Sequence, residues 1–75
     1  MNSQACELNS VRLTAREREV LGWCGRGKSS WEIAHILGRS EATVNYHFCN
    51  IRRKFSVTTR NAALAQALAH GLIEL

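Results

Sequence analysis

Residues 40–55, SEATVNYHFCNIRRKF, constrain the fold more than any other stretch of this 75-residue chain. Val44, Phe48, Ile51 and Phe55 recur at intervals of four, three and four. At helical period that spacing keeps them on one face. Ser40 stands where a helix N-cap belongs. The opposite face carries Asn45, Tyr46, Cys49 and Arg53, and one flank carries Thr43, His47, Asn50 and Lys54. Such a helix must bury its apolar stripe against other elements of the chain. It leaves hydrogen-bonding side chains and cations on the far side, which suits the DNA major groove.

The neighbouring sequence predicts the elements that cover the stripe. Thr14-Ala15-Arg16-Glu17 reads as a capping box opening a helix whose apolar arc is Val20, Leu21 and Cys24. Glu17 falls inside that arc, so partial burial is expected, with capping as its role. Gly27 is placed to stop the helix in a left-handed conformation. Ser29-Ser30-Trp31-Glu32 repeats the box and opens a second helix through Leu37, with Ile33 and Leu37 inward and Gly38 as its end. Gly-Arg-Ser is then the whole connection to the helix capped by Ser40, a helix-turn-helix pattern. Ser56-Val57-Thr58 connects onward. Thr59 caps a fourth helix to about His70, and Gly71 stops it. Leu64, Leu68 and Leu72 share one face of that helix. Ala62, Ala65 and Ala69 share another, which either pairs with its copy in a homodimer or reflects only alanine's helix propensity. The expected architecture is all-α: four helices over residues 13–75, the third a recognition helix, with residues 1–12 a loose tail or linker remnant.

Composition matters here mainly for what it excludes. Pro is absent and hydrophobic residues make up 45% of the chain, which favours one small helical domain over disorder. No apolar run reaches membrane-spanning length, and MNSQACELNSVRL lacks the basic start and apolar block of a signal peptide, so a cytoplasmic chain is expected. Cys6, Cys24, Cys49, His35, His47 and His70 show no ligand spacing, so no metal or disulfide framework is expected. Cys24 reads as a small core residue and Cys6 as part of the tail. Gly22 to Ser29 matches G-x-x-x-x-G-K-[ST], but a helix rather than a strand precedes it, so the match is read as coincidence. The Ser, His and acidic residues are explained as caps or surface. No enzyme, cofactor or small-molecule site is expected in this segment.

Charge is uneven. Residues 26–60 hold seven cations and two acids, whereas the remainder holds three cations and four acids. A solvated surface accounts for such a bias as well as a polyanion-binding face does. The positions of the side chains carry more weight. Thr43, His47, Asn50 and Lys54 on one flank are suited to phosphate oxygens. Lys28 and Ser29, at the start of the second helix, are suited to another phosphate drawn by free amides and the helix dipole. Asn45, Tyr46 and Cys49 lie in the N-terminal and middle turns that recognition helices aim at base edges, with Arg53 further along the same line. Asn can pair bidentately with adenine, and Tyr and Cys offer apolar contact to a thymine methyl. Trp31 lies off the Ile33/Leu37 face. Partial core packing is its simplest role, and contact with RNA polymerase or a sensor domain is the functional alternative.

The chain resembles the LuxR-type (GerE-like) helix-turn-helix family. The resemblance rests on residues 13–21, LTAREREVL, then 27–34, GKSSWEIA, 40–47, SEATVNYH, 50–55, NIRRKF, and 71–73, GLI. Its pattern is most like the quorum-sensing members. The resemblance implies a four-helix domain that binds double-stranded DNA as a dimer. It implies base contacts at Asn45, Tyr46 and Cys49, backbone contacts at Lys28, Thr43, His47 and Lys54, and dimer contacts on the fourth helix. This chain departs from the pattern at Ser56, where many members have Gly, at Ala62, where an acid often completes the capping box, and at Cys49. The sensor domains of such regulators do not fit in the first twelve residues. The chain is therefore either an excised output domain or a stand-alone protein.

The expected function is sequence-specific binding of duplex DNA as a transcriptional regulator, the output domain of a quorum-sensing type activator. The competing expectation is a short protein-interaction module that heterodimerises through its fourth helix and inhibits a full-length relative.

Overall fold

The computed structural model describes residues 11–75, and these residues form four helices: α1 (Ala15–Gly25), α2 (Ser30–Leu37), α3 (Glu41–Phe55) and α4 (Arg60–Ala69). The expected start of a tail at residues 1–10, Cys6 included, lies outside the described residues. Val11 packs against the core, and the Arg12 carbonyl accepts a hydrogen bond from Lys54 Nζ at 2.9 Å. Among the described residues no helix is long and apolar enough to cross a membrane.

Each helix starts on the residue whose side chain can satisfy a free amide. Thr14 and Ser29 complete reciprocal capping boxes with Glu17 and Glu32. Ser40 accepts from the Thr43 amide, and Thr59 accepts from the Ala62 amide at 3.0 Å without a reciprocal acid.

All four helices also stop in one way. The amide two residues past the last full turn reaches back across the helix end: Lys28 to Trp23, Arg39 to Ala34, Val57 to Arg52 and Leu72 to Ala67, at 2.8–3.1 Å. This is the Schellman motif, and it requires a left-handed residue at its bend. Gly27, Gly38 and Gly71 supply that residue at three ends with φ of 90°, 67° and 69°. At the fourth, Ser56 adopts φ 58° with a Cβ that the conformation disfavours. Replacing Ser56 by Gly removes that clash but gives the unfolded chain more freedom. The expected net gain is about 0.5–1 kcal/mol, read as a higher denaturation midpoint at unchanged slope. A neutral or lower midpoint would show that Ser56 is not strained.

The core gathers around α3, which contacts each of the other three helices. Val44, Phe48 and Ile51 are fully buried and Phe55 nearly so, as the stripe requires. They meet Val20 and Leu21 from α1, Ile33 and Ala34 from α2, and Ala63 and Ala67 from α4. On α4 it is small residues rather than the leucine face that turn fully inward. Ala63 and Ala67 are the buried pair, Leu64 and Leu72 are only partly covered, and Leu68 is exposed. Small side chains let α4 lie close to α3, and leucines there would hold the two apart.

Trp31 departs from expectation too. It is 60% exposed rather than packed into the core, and its ring stacks on His35 with centroids 4.9 Å apart. Ala34 takes the inward position next to it. The Gly22-to-Ser29 run is divided between the last turn of α1 and the turn leading to α2, and Gly27 serves as the left-handed stop of α1.

Candidate nucleic-acid interface

Burial of the stripe fixes what α3 shows to solvent. Asn45, Tyr46, Cys49 and Arg53 are all exposed, while Thr43, His47 and Asn50 are half-buried along the flank beside them. Lys28 and Ser29 are exposed at the start of α2. The short turn between α2 and α3, closed by Gly38 and opened again by Ser40, sets the exposed face of α3 beside the α2 N-terminus, where Ser30 meets Asn45.

These side chains are tied to one another. On the outer face the Arg53 guanidinium folds back along α3, donating to Asn50 Oδ1 at 3.4 Å and approaching Cys49 Sγ at 3.9 Å. Cys49 is thus a soft surface beneath a cation. The Tyr46 ring meets His47 edge-on, with centroids 6.0 Å apart. On the flank, the Thr43 hydroxyl shares a 2.9 Å hydrogen bond with the Ser40 cap.

Lys54 is less free than the other flank residues. Its ammonium donates to Glu17 Oε1 at 2.7 Å as well as to the Arg12 carbonyl. Glu17 in turn accepts from the Thr14 amide. Burial by itself would raise the Glu17 pKa. The hydrogen bonds and charge from Lys54, together with those from Thr14, outweigh it and hold the carboxyl below its ordinary 4.5. Sequence reading gave Glu17 a capping role, which it has. The ion pair escaped notice because the partner lies 37 residues away on another helix.

Ser30 and Arg60 also escaped the sequence reading. Arg60 Nη2 donates to Ser30 Oγ at 2.8 Å and to Asn45 Oδ1 at 3.4 Å, and Ser30 Oγ donates to Asn45 Oδ1 at 2.8 Å. The Arg60 guanidinium carbon lies over the Phe48 ring, 3.8 Å from its centroid. Of the seven cations of residues 26–60, Arg60 is thus half-buried and engaged by groups of the domain itself. Each of the two residues directly follows a helix cap, and no periodicity in the sequence links them to Asn45.

On α4, Ala65 and Ala69 are exposed and Ala62 is half-buried, so this edge lies away from the core. Among the described residues, no group of His, Cys, Asp or Glu could hold a metal ion. Cys24 is half-buried on α1, where burial raises its pKa against the opposing charge of Arg60.

Known proteins resemble this chain in sequence and fold. The HTH-type quorum-sensing regulator RhlR of Pseudomonas aeruginosa is 54% identical over 65 residues, covering 87% of this chain and 27% of RhlR. The transcriptional activator protein SolR of Ralstonia nicotianae is 51% identical over 65 residues, 87% of this chain and 28% of SolR. The transcriptional activator protein LuxR of Aliivibrio fischeri is 45% identical over 62 residues, 83% of this chain and 25% of LuxR. The chain thus spans about a quarter of the length of these relatives. The solved structure of the transcription factor GerE superposes with a TM-score of 0.80 at 35% identity, over 83% of this chain and 92% of GerE. The family model for bacterial regulatory proteins, luxR family, matches residues 11–67. With its four helices, its helix-turn-helix and its exposed third-helix face, the chain belongs to the luxR family of bacterial regulatory proteins.

Proposed function

We propose that this domain binds double-stranded DNA in a sequence-specific manner, as the output domain of a quorum-sensing type transcriptional activator. The observation that carries the reading is the division of α3: four apolar side chains buried, with Asn45, Tyr46, Cys49 and Arg53 exposed together on the opposite face. A helix held this firmly can enter the major groove as a rigid body. Asn45, Tyr46, Cys49 and Arg53 face the bases, and Thr43, His47 and Asn50 face one sugar-phosphate strand. Lys28 and Ser29 bring the α2 amides to a phosphate. Lys54 approaches the same flank as a cation already shared with Glu17.

The domain acts as a homodimer, in this reading, through the edge of α4 formed by Ala62, Ala65 and Ala69 with the exposed Leu68 beside it. Trp31, with Ile36 exposed near it, is the surface assigned to a protein partner such as RNA polymerase. The kinship with RhlR, named a quorum-sensing regulator, and with SolR and LuxR, named transcriptional activators, supports this assignment.

The test is a gel-shift titration with duplexes selected from a random pool, measured against unselected duplexes. Selected duplexes are expected to bind at least about 10³-fold tighter at physiological salt. Lys28→Ala is expected to lower affinity on both pools and to reduce the slope of log K against log salt by about 0.9. Equal affinity for both pools would exclude sequence-specific recognition. An unchanged slope would remove Lys28 from the phosphate contacts.

A further inference from the structure

Asn45 stands at the centre of the reading face, and its amide has two chemically different ends. The surrounding hydrogen bonds determine which end faces outward. Arg60 can only donate, so the Asn45 atom 3.4 Å from its Nη2 must be the carbonyl oxygen. The reversed amide would set two N–H donors against each other. The Ser30 hydroxyl accepts from Arg60 at 2.8 Å, which leaves its own proton for the same Asn45 oxygen at 2.8 Å. Arg60 is itself held by stacking on the fully buried Phe48 ring. The carbonyl is thus occupied from the protein side by two donors, and the Asn45 residue is otherwise exposed.

We infer that Asn45 reads DNA as a hydrogen-bond donor only, with Ser30 and Arg60 as the positioning residues that hold its carbonyl inward. The inference rests on the duplex-DNA reading above and sharpens it. A free Asn amide pairs bidentately with adenine by accepting from N6 and donating to N7. That pairing needs both ends of the amide, and here one is already used. The outward NH2 instead suits an edge that only accepts: guanine, which offers N7 and O6 together, or a phosphate oxygen. Adenine opposes the amide with an N6 donor. Where the acceptor is guanine, Arg60, a residue of α4 outside the helix-turn-helix, sets base preference through Asn45 without touching the bases.

The experiment is selection of duplexes from a random pool by the wild-type chain, Asn45→Ala, Arg60→Met and Ser30→Ala, with melting curves as the control for folding. Asn45→Ala is expected either to erase a guanine preference at one base pair or to weaken all duplexes evenly, by roughly 2- to 10-fold, the loss of one hydrogen bond. The first outcome assigns the acceptor to a base and the second to a phosphate. Arg60→Met removes one of the two donors to the carbonyl and the group that orients the Ser30 hydroxyl toward it, and where Asn45 faces a base it is expected to raise adenine over guanine at that position several-fold. If Arg60→Met fails to fold, Ser30→Ala, which leaves the stacking on Phe48 intact, must shift preference in the same direction. A wild-type adenine preference of roughly 5- to 150-fold that disappears in Asn45→Ala is the signature of bidentate pairing and would overturn the inference. Failure of the wild type to bind any duplex at low salt would overturn the DNA reading, and this inference with it.

Discussion

Phe48→Ala is expected to abolish cooperative folding of the domain. Phe48 is the largest fully buried side chain, and it lies on the helix that contacts all the others. Removing a buried Phe costs about 3–5 kcal/mol in lost transfer energy and cavity formation. A domain of this size holds roughly 3–10 kcal/mol in total. The loss also removes the ring on which Arg60 stacks, and so the support beneath Asn45. Thermal unfolding followed by circular dichroism should show a midpoint at least about 12 °C lower, or no cooperative transition. Tyr46→Ala, two residues away on the exposed face, should change stability by no more than about 0.5 kcal/mol. A drop of only a few degrees for Phe48→Ala would mean that the core is not organised around α3.

That contrast between opposite faces of one helix was legible in the sequence, because helical period converts spacing directly into facing. The same holds for the helix ends. Thr14, Ser29, Ser40 and Thr59 announce starts through local side chain to backbone hydrogen bonds, and Gly27, Gly38 and Gly71 announce stops through conformations other residues avoid. These signals act within a few residues. The inward face of α4 was less legible, since alanine suits core and surface alike. Ala63 and Ala67 differ from Ala65 and Ala69 only in what α3 places opposite them. Trp31 was misjudged for the converse reason: its size suggests burial, but its stacking partner His35 is on its own helix and both face solvent. The pairings that orient the candidate interface were not legible at all. Arg60 with Asn45 and Lys54 with Glu17 join residues 15 and 37 positions apart, and only the packed fold brings them together.

Lys54→Met should destabilise the domain by about 1–3 kcal/mol at neutral pH, and the deficit should shrink as the pH falls. The Glu17 side chain is 5% exposed and that of Lys54 is 35% exposed, so the pair is sheltered on one side only. The full penalty of about 3–5 kcal/mol for orphaning a buried charge is reduced accordingly. In the wild type the Glu17 carboxyl titrates below its unfolded value. Its contribution is therefore complete above about pH 4.5 and is lost as the pH falls through the folded pKa. Without the ammonium, burial is the largest influence remaining on Glu17 and acts to raise its pKa. The folded pKa of the variant is therefore higher than that of the wild type, and the variant loses less stability as the pH falls. Methionine keeps the apolar stem of Lys54, so the missing charge and the hydrogen bonds to Glu17 and the Arg12 carbonyl account for the difference. Urea unfolding at pH 7 and pH 4 measures both slopes. A deficit of the same size at both pH values would show that the pair adds nothing to stability beyond packing. A deficit that narrows would identify Lys54 as the clasp between the last turn of the recognition helix and the segment by which the chain enters α1.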